Sequence, residues 1–126
     1  MSLRTIVFDL FDTLVDLHWE RLPETPLGRG STTLLHEVVS RQLRIDLESF
    51  AEQLRQSDRA LFETTYRAGF ELPALRRFEA LVERLGLTDS ELPGLLCDAH
   101  MGLLRSVAVP QPHHREVLAS LARQLR

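Results

Sequence analysis

The chain has 126 residues, 44% of them apolar, and a formal net charge of -3; that is enough apolar residue for one hydrophobic core and excludes a disordered or collagen-like chain. The acidic balance leaves no bulk positive field and no basic run offsets it, which excludes sequence-independent nucleic-acid binding. Cys97 is the single cysteine, so an intrachain disulfide and a stapled secreted mini-domain are excluded, and a reducing, cytoplasmic setting is expected.

Within residues 6–17, the most apolar early stretch, Asp9, Asp12 and Asp16 break the run at a density that a secretory segment or membrane span does not tolerate. Thr5, Ile6, Val7 and Phe8 form a short β-rich apolar run ended by an acid, the pattern of a strand buried on both faces of a parallel sheet. Residues 17–31, with Pro23, Pro26, Gly28 and Gly30, read as a loop or hinge long enough to be functional.

Four or five amphipathic helices follow. The first spans Thr33 to Arg44, with Leu34, Leu35, Val38, Val39 and Leu43 on one stripe. Asp46 caps the second, in which Leu47, Phe50, Ala51, Leu54, Leu61, Phe62 and Thr65 share a face that Ser57 and Asp58 interrupt, and Gly69 stops it. Pro73 and Gly86 bracket a third, whose buried face is Leu75, Phe78, Leu81, Val82 and Leu85. Thr88 and Glu91 have capping-box spacing, with Leu87 and Leu92 placed to staple across it; Pro93 and Gly94 allow a start at Ser90 instead. That fourth helix carries Leu92, Leu95, Leu96, Ala99 and Leu103 and ends before Pro110, where a turn follows. Pro112 opens a last helix with a Val117, Leu118, Leu121, Leu125 stripe.

A parallel strand needs neighbours for its backbone donors and acceptors, and nothing downstream reads as one. The favoured expectation is therefore the front part of a longer α/β protein. A strand that pairs with another chain, hence self-association, and a run that is not a strand are the alternatives.

The distinctive constellation is Val7-Phe8-Asp9-Leu10-Phe11-Asp12-Thr13-Leu14-Val15: an acid at the end of a buried strand, where ligands bind in open α/β sheets, then a tight turn. It resembles motif I of the haloacid dehalogenase-like (HAD) superfamily of hydrolases. The hinge, the helical stretch and the helix after Pro110 resemble that family's inserted cap. The resemblance implies an α/β fold: a Rossmann-like HAD core, of which the first strand (residues 1–16) and the return helix (110–126) are present, and an all-helical cap over residues 17–109.

It further implies that Asp9 is the nucleophile, attacking phosphorus or carbon to leave an ester that water cleaves. Thr13 and the turn amides would orient Asp9 and receive anionic oxygens of a small anionic substrate, with Leu10, Phe11 and Arg29 among the substrate-binding residues. In a phosphatase Mg²⁺ would be held by Asp9, the Phe11 carbonyl and downstream carboxylates; a dehalogenase needs no metal. Phe11 stands where most family phosphatases have the aspartate that protonates the leaving oxygen, and Asp12 is the nearest substitute. An aromatic at that position leans towards the dehalogenases, while Asp12 leans away. The family's later motifs, a serine or threonine, a lysine or arginine and an acidic pair, have no place in these 126 residues, so the piece is expected to be inactive alone.

Plainer readings stand beside these. Asp9 can be a strand-end turn cap, and Asp12 and Thr13 are ordinary turn formers. Asp16 reads as solvated. Gly28-Arg29-Gly30-Ser31 is an anion-reading loop or a flexible hinge. Cys97 and His100 share a helix face at metal-ligand spacing, with His113 and His114 further on, but a small core cysteine is the commoner use. Ser57 and Asp58 face either the cap's mouth or a helix crossing. His18 and Trp19 line the site's entrance or pack the hinge. The rival reading from another class is a non-catalytic helical-bundle interaction module.

Overall fold

The computed structural model describes Val7 and residues 14–124. The expected first strand and the motif residues Asp9, Leu10, Phe11, Asp12 and Thr13 lie outside the described residues, Val7 excepted. In chain order the elements are β1 (Val15–Leu17), a 3-10 turn (Trp19–Arg21), α1 (Thr32–Val39), α2 (Leu47–Leu61), a π-helical turn (Phe62–Tyr66), α3 (Ala74–Arg84), α4 (Leu92–Val107), β2 (Ala108–Pro110) and α5 (Pro112–Gln124). The architecture is mixed α/β, dominated by helix, with one small antiparallel sheet.

Several boundaries follow from local chemistry. Asp46 caps α2 by accepting the Ser49 backbone N–H at 2.9 Å and the Ser49 hydroxyl at 2.7 Å. Helix α3 ends in a Schellman motif: the Leu87 N–H reaches the Val82 carbonyl at 3.1 Å, the Gly86 N–H reaches Glu83 at 3.0 Å, and Gly86 has φ +69°. Only glycine takes that left-handed conformation without strain, and Leu87 folds back onto the same core as Val82.

Other boundaries depart from the sequence pattern. Helix α1 stops at Val39 rather than Arg44, turning through 40–42 so that Leu43 and Ile45 pack sideways onto the core. The capping box of Thr88 and Glu91 does not form. Asp89 accepts the Glu91 N–H at 2.8 Å instead, and α4 starts at Leu92 with Pro93 in its first turn, where no N–H is needed. The α2 stripe is buried only as far as Leu54 and Ser57. Beyond Leu61 the chain winds into the π turn, which rotates the stripe away, and Phe62 is left 51% exposed. Leu75, expected on the buried face of α3, is also exposed.

Helix α3 packs on both α2 and α4, and α1 closes the unit by packing on α2 and α4. Their shared core is Leu35, Val39, Phe50, Leu54, Phe78, Leu81, Val82, Leu92 and Leu96. Phe50 and Phe78 are completely buried, each contributing on the order of 1.5–3 kcal/mol relative to exposure. Asp58 and Arg77 tie α2 to α3 through two 2.6 Å hydrogen bonds, so the break in the apolar stripe marks a helix crossing.

Strand β2 replaces the turn expected before Pro112. It pairs antiparallel with β1 in the register Val15 to Pro110, Asp16 to Val109 and Leu17 to Ala108. Next to the pair, the His18 N–H donates to the Val107 carbonyl at 2.8 Å, His114 Nδ1 donates to the Leu14 carbonyl at 3.1 Å, and Gln111 donates to the Asp16 carboxylate. Helix α5 begins at Pro112 as expected, but none of its described residues is buried, and Val117 is 51% exposed.

Candidate functional site

Because β1 and β2 are hydrogen-bonded neighbours, residues 18–107 leave and return through one paired stem. The first part of that excursion, residues 18–31, runs back over α4. The 3-10 turn holds Trp19 beside the stem, and the Leu22 N–H closes the turn on the Trp19 carbonyl at 3.1 Å while Leu22 itself is buried. Gly28 then takes φ +83°, a left-handed residue that reverses the chain, and its N–H donates to the Thr25 carbonyl at 2.9 Å. Arg29 follows at the surface, just before Gly30 and Ser31 lead into α1.

Between this loop and the second half of α4 lies a cleft of about 300 Å³, lined by Trp19, Arg29, Ser31, His100, Leu103 and Leu104. Its walls are mostly apolar. Ser31 occupies the N-cap position of α1, but its side chain does not cap the helix. Its Oγ is instead hydrogen-bonded to His100 Nδ1 at 3.0 Å. No acidic residue sits in the first turn of α1, so the partial positive charge of that helix end is left uncompensated there.

The His100 ring also meets Phe78 edge-on at 5.7 Å between centroids. Burial, helped by the positive Arg77 and only partly opposed by Asp58, pulls its pKa below the ordinary histidine value. The shift favours the uncharged ring, which leaves Arg29 as the one permanent cation among the described residues lining the cleft. Arg29 makes no hydrogen bond or ion pair among the described residues. An adjoining cavity of about 240 Å³ shares Gly30 and Leu103 with the cleft and is also lined by Thr33 and Glu37. Thr33 Oγ1 is shielded from solvent without a hydrogen-bond partner among the described residues.

The structure thus brings together three features singled out separately in the sequence, Trp19, the Arg29 loop and His100, the last in a cleft rather than the metal site considered for it, and His100 is followed along α4 by Leu103 and Leu104. The last three share a face of α4 at i, i+3, i+4 spacing. A histidine in an otherwise leucine-lined stripe was the available signal. His18 instead pairs with Glu20 at 2.6 Å. Cys97 packs against the helical core, and among the described residues no three His, Cys, Asp or Glu side chains are grouped to hold a metal ion. His113 and His114 contact each other, rings 4.6 Å apart, and His114 is occupied by the Leu14 carbonyl. No helix among the described residues is long and apolar enough to cross a membrane.

Comparison of the chain with models of known protein families, with curated proteins and with solved structures gives no match.

Proposed function

We propose that the chain is the amino-terminal portion of a HAD-like hydrolase, with Asp9 as nucleophile and residues 18–107 as a helical cap over a Rossmann-like core. The observation that carries this reading is the β1–β2 pair. An inserted cap must leave the core and return to it at one place, and an antiparallel stem between the two crossings is the simplest way to do so. The helical unit beyond the stem has its own core, as an inserted domain needs.

In this reading an Asp9 carboxylate oxygen forms a bond to phosphorus or carbon as the bond to the leaving group breaks, and water then cleaves the resulting ester. Thr13 and the turn amides hold Asp9 in line. Asp9 and the Phe11 carbonyl are hard oxygen donors of the kind Mg²⁺ takes, one or two carboxylates being its usual protein share; bound Mg²⁺ would offset the negative charge of a phosphate ester. Phe11 cannot donate a proton. Leaving groups that depart as stable anions are therefore favoured over alkoxides unless Asp12 acts as the acid, a role worth roughly a hundred- to ten-thousandfold.

The test begins by reading the coding message past the codon for Arg126. A frame continuing into an apolar strand that ends in Ser or Thr, then a basic residue and an acidic pair, is expected. The product of that frame should release phosphate with Mg²⁺ or halide from a 2-haloacid without it, and Asp9→Asn should abolish either activity. A complete gene product that releases neither removes the hydrolase reading.

A second reading, a non-catalytic helical interaction module, is favoured by the way α1 to α4 close a core among themselves. It predicts a cooperatively melting chain whose stability is indifferent to Asp9→Asn and a gene product without turnover.

A further inference from the structure

We infer that the cleft between the Arg29 loop and α4 binds a small organic monocarboxylate with an aromatic body. The inference rests on the hydrolase reading only for calling that ligand a substrate; binding is a property of the cleft itself.

The cleft's size decides the first part. About 300 Å³ lies at the lower end of the range for small-molecule sites, about 300–1,000 Å³, which suits one ring with a short side chain. Its walls decide the second. Leu103 and Leu104 line it with apolar surface, and Trp19, 44% exposed, is an aromatic lining residue of the kind on which a ring stacks.

The charge of the ligand follows from three side chains. Arg29 brings a planar guanidinium that matches a carboxylate in two parallel hydrogen bonds, and it has no partner among the described residues to compete. His100 is half-buried, and its partial burial and the positive Arg77 both disfavour its protonated form, so it adds a dipole rather than a second positive charge. Ser31, the remaining polar wall, has its hydroxyl engaged in the hydrogen bond with His100 and leaves the first turn of α1 without a side-chain cap. Among the described residues the cleft therefore holds one full positive charge beside a helix end of the same sign, which balances a monoanion and leaves a phosphate dianion undercompensated. The carboxylate belongs at Arg29 and the ring against Trp19 and the leucines.

Trp19 is the only tryptophan, so its fluorescence reports occupancy directly. Titrating the 126-residue chain with phenylacetate should give a saturable change. The affinity should fall about ten- to a hundredfold in Arg29→Gln, the usual range for losing a hydrogen bond to a charged group, and partly recover in Arg29→Lys. The neutral 2-phenylethanol should bind weaker by a similar factor, and dianionic phenylphosphonate no tighter than phenylacetate. Arg29 lies on the surface outside every helix and strand, so matching thermal melts will verify that its variants are folded. Leu103→Phe, which adds bulk to a lining residue, should weaken phenylacetate independently of charge. Absence of a saturable response, equal affinity in Arg29→Gln, equal binding of 2-phenylethanol, or tighter binding of the phosphonate would each overturn the proposal. Val117→Ser on α5, at an exposed position that does not line the cleft, should bind phenylacetate as the parent chain does, and loss of binding there would overturn the assignment to this cleft. Normal binding beside a complete gene product without turnover would sink the hydrolase reading alone.

Discussion

The two ends of the helical unit solve the same problem in opposite ways. Around α3, three helices meet so closely that Phe50, Phe78, Leu81 and Leu96 are completely buried, and an ion pair crosses between α2 and α3 without interrupting the packing. At the stem, two three-residue strands and α5 are held by hydrogen bonds such as His114 to Leu14, and α5 buries none of its described residues. An amphipathic pattern in the sequence says that a face is suited to burial, whereas burial itself depends on what the rest of the chain brings against it. The bundle carries its own partners for that face; α5 does not find one among the described elements.

That contrast is open to measurement. The largest effect is expected from Phe78→Ala, which removes a completely buried ring and leaves a cavity; urea denaturation should show a loss of about 3–5 kcal/mol, a large part of the stability of a domain this size. A loss below about 1 kcal/mol would mean the bundle is loosely packed and the contrast with α5 false. Next comes Asp58→Asn, which weakens the pair with Arg77. Because the Arg77 and Asp58 side chains remain 25% and 37% exposed, respectively, the expected cost is about 1 kcal/mol, shrinking as salt is added.

His100 sharpens the comparison through pH. Its folded-state pKa is lowered, so the unfolded chain takes up the proton first as pH falls through the ordinary histidine range. Stability should therefore drop on acidification below about pH 6.5 and level off once the folded form is protonated too. An NMR titration should place the His100 midpoint below that of the denatured chain, and His100→Gln should flatten the slope. A midpoint at or above the denatured value would mean the ring is wetter than the packing against Phe78 implies. The smallest effect belongs to Val117→Ser on α5, expected within about 0.5 kcal/mol; a large loss would reveal that α5 is covered in solution.

How much was legible in the sequence follows the same division. Asp46, the Pro73 and Gly86 brackets and Pro112 each act within a few residues of themselves, and each marks the boundary or cap it suggested. The β1–β2 pair was not foreseen, because three residues are too few for a period-2 pattern and their partnership joins positions almost a whole chain apart. Phe62 and Leu75 matched the helical period yet lie exposed, since periodicity identifies a stripe but not where the neighbouring helix stops covering it. The cleft was half visible: Trp19, Arg29 and His100 drew notice as separate features, while their meeting depends on how the loop folds over α4. Asp9, Asp12 and Thr13 remain readings of sequence, outside the described residues.

The stem has a further consequence for how such a chain could be rearranged. Paired residues on adjacent antiparallel strands have Cα atoms only about 4.5–5.5 Å apart, and here the facing positions are Leu17 and Ala108. A tight two-residue turn is enough to bridge such a gap. Everything between those positions is in this sense a cassette: replaced by a hairpin turn, or spliced between neighbouring strands of an unrelated scaffold, it asks neither host to move its backbone.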